Sequence, residues 1–176
     1  MAPRPAPDLD LRRDQIVRAA RGLAEVDGWE AVTMRRLGSE LGVTQPVIYS
    51  AFAGGRQQIV DAVALSGFDA MAAALEAVPA EPSARMQAYR DFAADRPRVY
   101  EAMFSMPSGL AFGTGTGPQA LQRAFAAIRV AFDDDLQAEV AWATVHGLST
   151  LENSGRLPAT QARARLELAH RALSRR

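Results

Sequence analysis

Apolar residues recur every three to four positions along almost the whole chain, and alternating β-branched runs are rare, so the pattern predicts helices throughout. Proline and glycine punctuate it. Helices are expected over 9–26, 33–41, 44–52, 56–78, 82–95, 97–105, 118–132, 135–153 and 159–173. Breaks are expected at Asp27-Gly28, Gly42, Gly54-Gly55, Pro79, Pro97, a Gly/Thr loop at 108–117, and Gly155 to Pro158. The result is an all-α chain of nine helices, with a three-helix head over 9–55, a larger helical bundle over 56–176 and a disordered Pro-rich leader over 1–8.

Helix ends carry their own signals. Thr33 precedes the second helix and is placed to cap its free N–H groups, and Gly28 follows the first where a left-handed residue is wanted. Pro97 and Pro118 fall where a first helical turn tolerates proline.

The head holds the most specific spacing. Leu37, Gly38, Leu41, Gly42, Val43, Ile48 and Ala51 match a helix-turn-helix unit. Gly38 lacks a side chain where the next helix comes close, and Gly42 can take positive φ in the turn. The third helix then runs from Thr44 to Phe52, with Thr44 as N-cap and Pro46 in the first turn, where a missing N–H loses no partner. Its outward face is Thr44, Gln45, Pro46, Tyr49 and Ser50. Such a helix enters a major groove by its N-terminal end. Gln45 suits an adenine edge and Pro46 a thymine methyl, while Tyr49 and Thr33 suit phosphate oxygens. Arg12, Arg13, Arg35, Arg36 and Arg56 are the candidate backbone cations; of Arg35 and Arg36, one is expected to face outward and the other to pair locally. The plainer alternatives are a Tyr49 half-buried against Phe52 and solvated arginines at 12 and 13.

The run LRRDQIVRAARGLAEVDGWEAVTMRRLGSELGVTQPVIYSAF, from Leu11 to Phe52, resembles the DNA-binding head of the tetracycline-repressor (TetR) family of bacterial regulators. The resemblance lies in a helix closing on a Gly-aromatic turn and then in T-M-R-R-L-G-x-x-L-G-V-T-x-x-x-I-Y-x-x-F. It implies an all-helical homodimer whose first three helices bind operator DNA and whose C-terminal region binds an inducer. The chain departs from the family at Ala51, where histidine or tyrosine is common, and at Ala53–Arg56, where Arg56 stands in for the usual lysine opening the fourth helix.

The body carries nine of the twelve aromatic residues and four of the six methionines. Phe68, Met71, Tyr89, Phe92, Met103, Phe104, Phe112, Trp142 and His146 are the candidate ligand-binding residues; methionine beside aromatics suits an adaptable apolar pocket as well as an ordinary core. Trp142 and His146 are four apart and share a helix face, and Gly147 allows close helix contact. The segments 89–104 and 142–158 resemble a TetR subgroup marked by Trp-x-x-x-His-Gly, in which this helix lines the pocket and leads into the dimer interface. On an apolar face His146 is more often a hydrogen-bonded core histidine than a ligand contact, and His170 reads as a surface or interface residue.

Other chemistry is thinly represented. GTGTG at 113–117 lacks the strand before and the lysine after that a phosphate loop needs. Asp133, Asp134 and Asp135 suit a helix N-terminus better than a metal, and two histidines assemble neither a catalytic triad nor a metal cluster. No cofactor is expected. The chain has no cysteine, which excludes disulfides and thiolate sites and fits a cytoplasmic location. No apolar stretch is expected to span a bilayer, 70–78 being the longest candidate. The 20 acidic and 20 basic residues balance, so global charge does not announce a nucleic-acid binder; every basic residue is arginine.

The leading expectation is therefore a dimeric repressor that joins through its last two helices and leaves a palindromic operator when an apolar or amphipathic inducer binds. A small-molecule-binding or interaction protein with a head that no longer binds DNA is the alternative. An all-helical enzyme using His146 is a third.

Overall fold

The structure, a computed structural model, describes residues 8–108, 110 and 117–173. Among these it holds nine α-helices and no strand. They are α1 (Leu9–Asp27), α2 (Met34–Leu41), α3 (Gln45–Ala51), α4 (Gly55–Glu76), α5 (Pro82–Asp95), α6 (Pro97–Phe104), α7 (Gln119–Arg129), α8 (Asp135–Asn153) and α9 (Ala162–Leu173). Short 3-10 turns over Trp29–Ala31 and Ala159–Gln161 complete them; neither was legible in the periodicity.

The caps explain most boundaries. Asp8, the last residue of the expected leader, accepts from Asp10 N and Leu11 N at 3.1 and 3.0 Å and so starts α1. Thr33 Oγ1 accepts from Arg36 N at 3.1 Å. Asp134 accepts from Gln137 N at 2.8 Å, and Asp135 pairs with Arg129, so the acidic run serves a helix start. Gly28 and Gly42 end their helices at φ 80° and 64°, backbone that favours glycine.

Two compact units divide the chain: Met1–Ala64 with Arg98–Gly109, and Leu65–Pro97 with Leu110–Arg176. We call them the head unit and the body unit. In the head unit α1, α2 and α3 pack on one another around Ile16, Ala20, Leu37, Ile48 and Phe52. Helix α6 packs with them because Glu25 on α1 accepts from Arg98 N (3.2 Å) and Val99 N (2.9 Å), capping α6 from a distance of more than 70 residues. Trp29 Nε1 donates to Arg98 O at 2.9 Å beside it. In the body unit α5 lies on α8 and α9, with α7 against α8.

One expectation fails at α4. It has 22 residues, and an 18-residue window within it reaches a mean hydropathy of 1.4, so a bilayer-length apolar helix is present after all. Half of that window is buried in the chain, including Ile59, Val60, Val63, Phe68 and Met71, as in the core helix of a globular protein.

Candidate nucleic-acid interface and ligand site

The helix-turn-helix turn is set by contact at the backbone. A Cβ on Gly38 would stand 2.8 Å from the Val43 carbonyl oxygen, and Val43 N donates to Gly38 O at 2.8 Å. The obstacle is thus the turn rather than the body of the next helix. With Gly42 in the left-handed region, the turn directs α3 so that Ile48 and Ala51 are buried. Thr44, Gln45, Pro46, Tyr49 and Ser50 remain exposed on one face. Tyr49 is 47% exposed, so about half of it is open to solvent.

Thr44 departs from the expected capping role. It occupies the N-cap position of α3 but its hydroxyl makes no capping bond. The reason lies in Pro46, which sits at the second helical position and has no N–H to offer. The N–H of the third position, Val47, goes to the Thr44 carbonyl at 3.0 Å. The Thr44 hydroxyl is left on the exposed face. Ser50 Oγ, by contrast, donates to Val47 O at 2.8 Å and is tied to its own helix.

The arginines separate into two kinds. Arg56, expected as a phosphate cation, turns inward: Nε donates to Val32 O at 3.0 Å and Nη2 to Trp29 O at 2.8 Å, closing the carbonyls around the 3-10 turn. Arg13 is exposed, as expected of a surface arginine, but its Nε also donates to Ala51 O at 3.0 Å, at the end of α3. Arg36 pairs with Asp27. Arg35, beside it, is exposed and has no partner among the described residues, so the outward and paired members of that couple are 35 and 36 respectively.

In the body unit the expected ligand residues fall into groups. Phe68 and Met71 on α4, and Tyr89 and Phe92 on α5, are buried. Trp142 and His146 on α8 are half-buried and meet Tyr89. Trp142 Nε1 donates to the Tyr89 hydroxyl at 3.2 Å, and that hydroxyl lies 3.4 Å from His146 Nδ1. Burial pushes His146 below the ordinary histidine range, so its neutral form is favoured. Phe125 stacks tilted on Trp142 at 5.7 Å between centroids. Met103 and Phe104 belong to the head unit, and Phe112 lies outside the described residues, as does most of GTGTG. Gly147 mediates no close contact among the described residues: a Cβ there would meet none of their atoms within 4 Å.

Two features of the body unit escaped the sequence. A groove of about 530 Å³ between α5 and α9 is lined by Ser83, Gln87, Arg90, Arg163, Leu166, Glu167 and His170, none of them among the expected ligand residues. Beside it Glu152 accepts from Arg90 Nε at 3.0 Å and from Arg165 Nη2 at 2.9 Å, joining α5, α8 and α9 through a carboxylate only 8% exposed. The charge pattern alone gives no pairing across three helices, so nothing in the sequence singled it out. Among the described residues no His/Asp/Glu cluster suits a metal.

Comparison with known proteins agrees with this architecture. Residues 16–63 match the family model described as bacterial regulatory proteins, tetR family, and residues 83–175 match the tetracyclin repressor-like C-terminal domain. Among curated proteins none matches the chain. A solved structure of a protein with unknown function from Rhodococcus sp. RHA1 is 25% identical with a TM-score of 0.70, covering 98% of this chain and 97% of that one. The TetR family protein ActR of Streptomyces coelicolor, in complex with (S)-DNPA, is 22% identical with a TM-score of 0.57, covering 93% and 88%. A TetR variant from Acinetobacter baumannii AYE, in complex with minocycline, is 13% identical with a TM-score of 0.63, covering 90% and 91%. With both its head and its C-terminal half matched, the chain belongs to the TetR family of bacterial regulatory proteins, DNA-binding transcriptional regulators rather than enzymes.

Proposed function

We propose that the protein is a homodimeric repressor that reads a palindromic operator through α3 and leaves it when a small apolar or amphipathic inducer enters the body unit. The observation that carries the reading is the face of α3. Gln45, Pro46 and Tyr49 stand exposed on a helix whose other side is locked by Ile48 and Ala51, and the turn before it is built on glycine. A surface so well supported, yet without a partner among the described residues, fits a major groove. Gln45 reads an adenine edge, Pro46 a thymine methyl, and Tyr49, Thr33, Thr44 and Ser50 reach phosphates. Arg35 supplies charge, and Arg56 acts by holding the head together.

Residues 9–55 then form the DNA-binding domain, and 56–176 the ligand-binding and dimerisation domain. The Trp142–His146–Gly147 pattern supports the Trp-x-x-x-His-Gly subgroup. Phe68, Met71, Tyr89, Phe92, Trp142 and His146 line the ligand site, and the complexes of ActR with (S)-DNPA and of the Acinetobacter TetR variant with minocycline support a small-molecule ligand. On α8 the exposed Leu136, Val140, Ala143 and Leu151 share a face with Gly147, and Leu168 is exposed on α9; a second copy would cover them, joining the dimer through the last two helices. The protein acts in the cytoplasm and binds no membrane.

A gel shift against DNA flanking its own gene tests the reading. Salt-sensitive binding to a palindrome is expected, weakened by Gln45→Ala and Tyr49→Ala. Equal, weak binding to every sequence would sink it. The backbone bonds of Arg56 favour that outcome for a head that no longer binds DNA, and the two variants decide: operator affinity untouched by both removes α3 from the interface.

A further inference from the structure

Arg85 is a cation buried in the body unit, and among the described residues it forms no salt bridge. The residue is only 6% exposed. Its Nε donates to the Pro79 carbonyl at 3.1 Å, while Nη1 is buried and has no hydrogen-bond partner among the described residues. Its field reaches Glu76, but that carboxylate is engaged with Arg123, Nε donating to Oε1 at 2.9 Å and Nη2 to Oε2 at 2.5 Å. Burying a guanidinium is costly unless hydrogen bonds and an opposite charge meet it.

The position of Arg85 points to what is missing. Arg85, Tyr89 and Phe92 are spaced i, i+4, i+7 on α5 and are all buried, so they share its inward face. Tyr89, one turn on, heads the hydrogen-bonded group with Trp142 and His146. Further along, α8 carries two more buried polar atoms without partners among the described residues, Ser149 Oγ and Thr150 Oγ1. Arg85 therefore brings to the body unit one buried N–H of a positive group that is unmet among the described residues, alongside neutral hydrogen-bonding groups. We propose that the ligand of the body unit is a carboxylate on an apolar skeleton, with the carboxylate oxygen accepting from Arg85 Nη1. The inference rests on the reading that the inducer site lies in this unit. It gives that site a charge sign: a neutral apolar molecule leaves the guanidinium unpaired, and a cationic one is repelled by it.

Matched probes test the proposal on the full-length protein. Straight-chain carboxylates of about eight to twelve carbons and aryl-alkanoates are compared with their methyl esters by calorimetry and thermal shift. Carboxylates are expected to bind about tenfold tighter or better than the esters, as a charged hydrogen bond in a dry site warrants. In Arg85→Met the preference should fall to within about twofold, and the ligand-free variant should melt no lower than the parent, since an apolar chain of similar length replaces an uncompensated charge. Arg85→Lys keeps the sign and should keep part of the preference, which also serves if the methionine variant does not fold. Absence of any carboxylate preference in the parent protein overturns the proposal, whether both probe types bind or neither does. A preference that survives unchanged in both variants overturns it as well. Operator binding of the same variants without probe is read separately: its loss touches the regulatory reading, whereas a lost carboxylate preference with intact operator binding touches this one.

Discussion

The head and body units treat their polar side chains differently. In the head unit Arg13, Arg56, Glu25 and Trp29 each close on a backbone group, and the turn between α2 and α3 leaves no room for a single methyl at Gly38. In the body unit lie all three buried side-chain polar atoms that lack a partner among the described residues: Arg85 Nη1, Ser149 Oγ and Thr150 Oγ1. The contrast matches two kinds of recognition. A duplex presents a fixed spacing of phosphates and base edges, so a head that reads it gains from rigidity. A small molecule brings its own polar groups into the interior, and a site that waits for it must leave some of its own unmet.

The sharpest way to break this comparison is a methyl at two glycines. Gly38→Ala drives a Cβ against the Val43 carbonyl, a backbone atom that yields only if the turn moves, and the cost should lie near the top of the roughly 1–3 kcal/mol seen for overpacking. Chemical denaturation should show the loss, and operator binding should fall with it. Gly147→Ala meets nothing among the described residues, so helix propensity alone would favour it by about 1 kcal/mol. A concentration-dependent fall in stability for that variant would instead reveal a second copy packed on α8.

Tyr89→Phe comes next. It removes the acceptor for Trp142 Nε1 and the hydroxyl that faces His146 Nδ1, leaving half-buried polar groups unmet, at about 1–3 kcal/mol. Near-ultraviolet circular dichroism from Trp142 should change, while head-unit probes such as Trp29 should not. A variant as stable as the parent would show that the body tolerates another unmet polar group at no cost. Glu25→Ala is the head's counterpart, with a cost of about 1 kcal/mol expected from the uncapped N-terminus of α6. Hydrogen exchange at Arg98 and Val99 should rise in that variant and leave α8 unchanged.

How far these features were legible depends on their range. The helices of the body and head appear within about three residues of their expected ends, because proline, glycine and capping residues act on neighbours in sequence. Thr33 at α2 and Asp134 at α8 are such cases. Thr44 misled because its capping bond depends on the N–H two residues on, and Pro46 removes it. The exposed face of α3 followed from the spacing of Ile48 and Ala51 alone. What stayed hidden needed distances across the fold: Arg56 reaches carbonyls 24 and 27 residues away, and Glu25 reaches α6 across 73 and 74. The place of Met103 and Phe104 in the head unit stayed hidden for the same reason, since nothing local tells that α6 joins it.

The smallest expected effect is a pH slope that separates the two units. Burial holds His146 below its ordinary value of 6.5 in the folded protein, whereas in the unfolded chain it titrates near that value. Between the depressed folded value and about 6.5, the unfolded chain therefore binds more protons than the folded one, and stability rises with pH. The contribution is complete above that window and is lost as pH falls through it, because protonation must then charge a ring beside Tyr89 and Trp142. Denaturant titrations from about pH 7.5 down to about 5, across the ordinary histidine range, should show the loss in a body-unit signal, and His146→Phe should remove most of the slope. Burial of this ring is only partial, so the loss should stay within about 1 kcal/mol, less than the cost expected for Tyr89→Phe. A slope of the same size in the His146→Phe variant would place the pH-sensitive group elsewhere and leave the polar interior of the body unit resting on Arg85 and the two α8 hydroxyls.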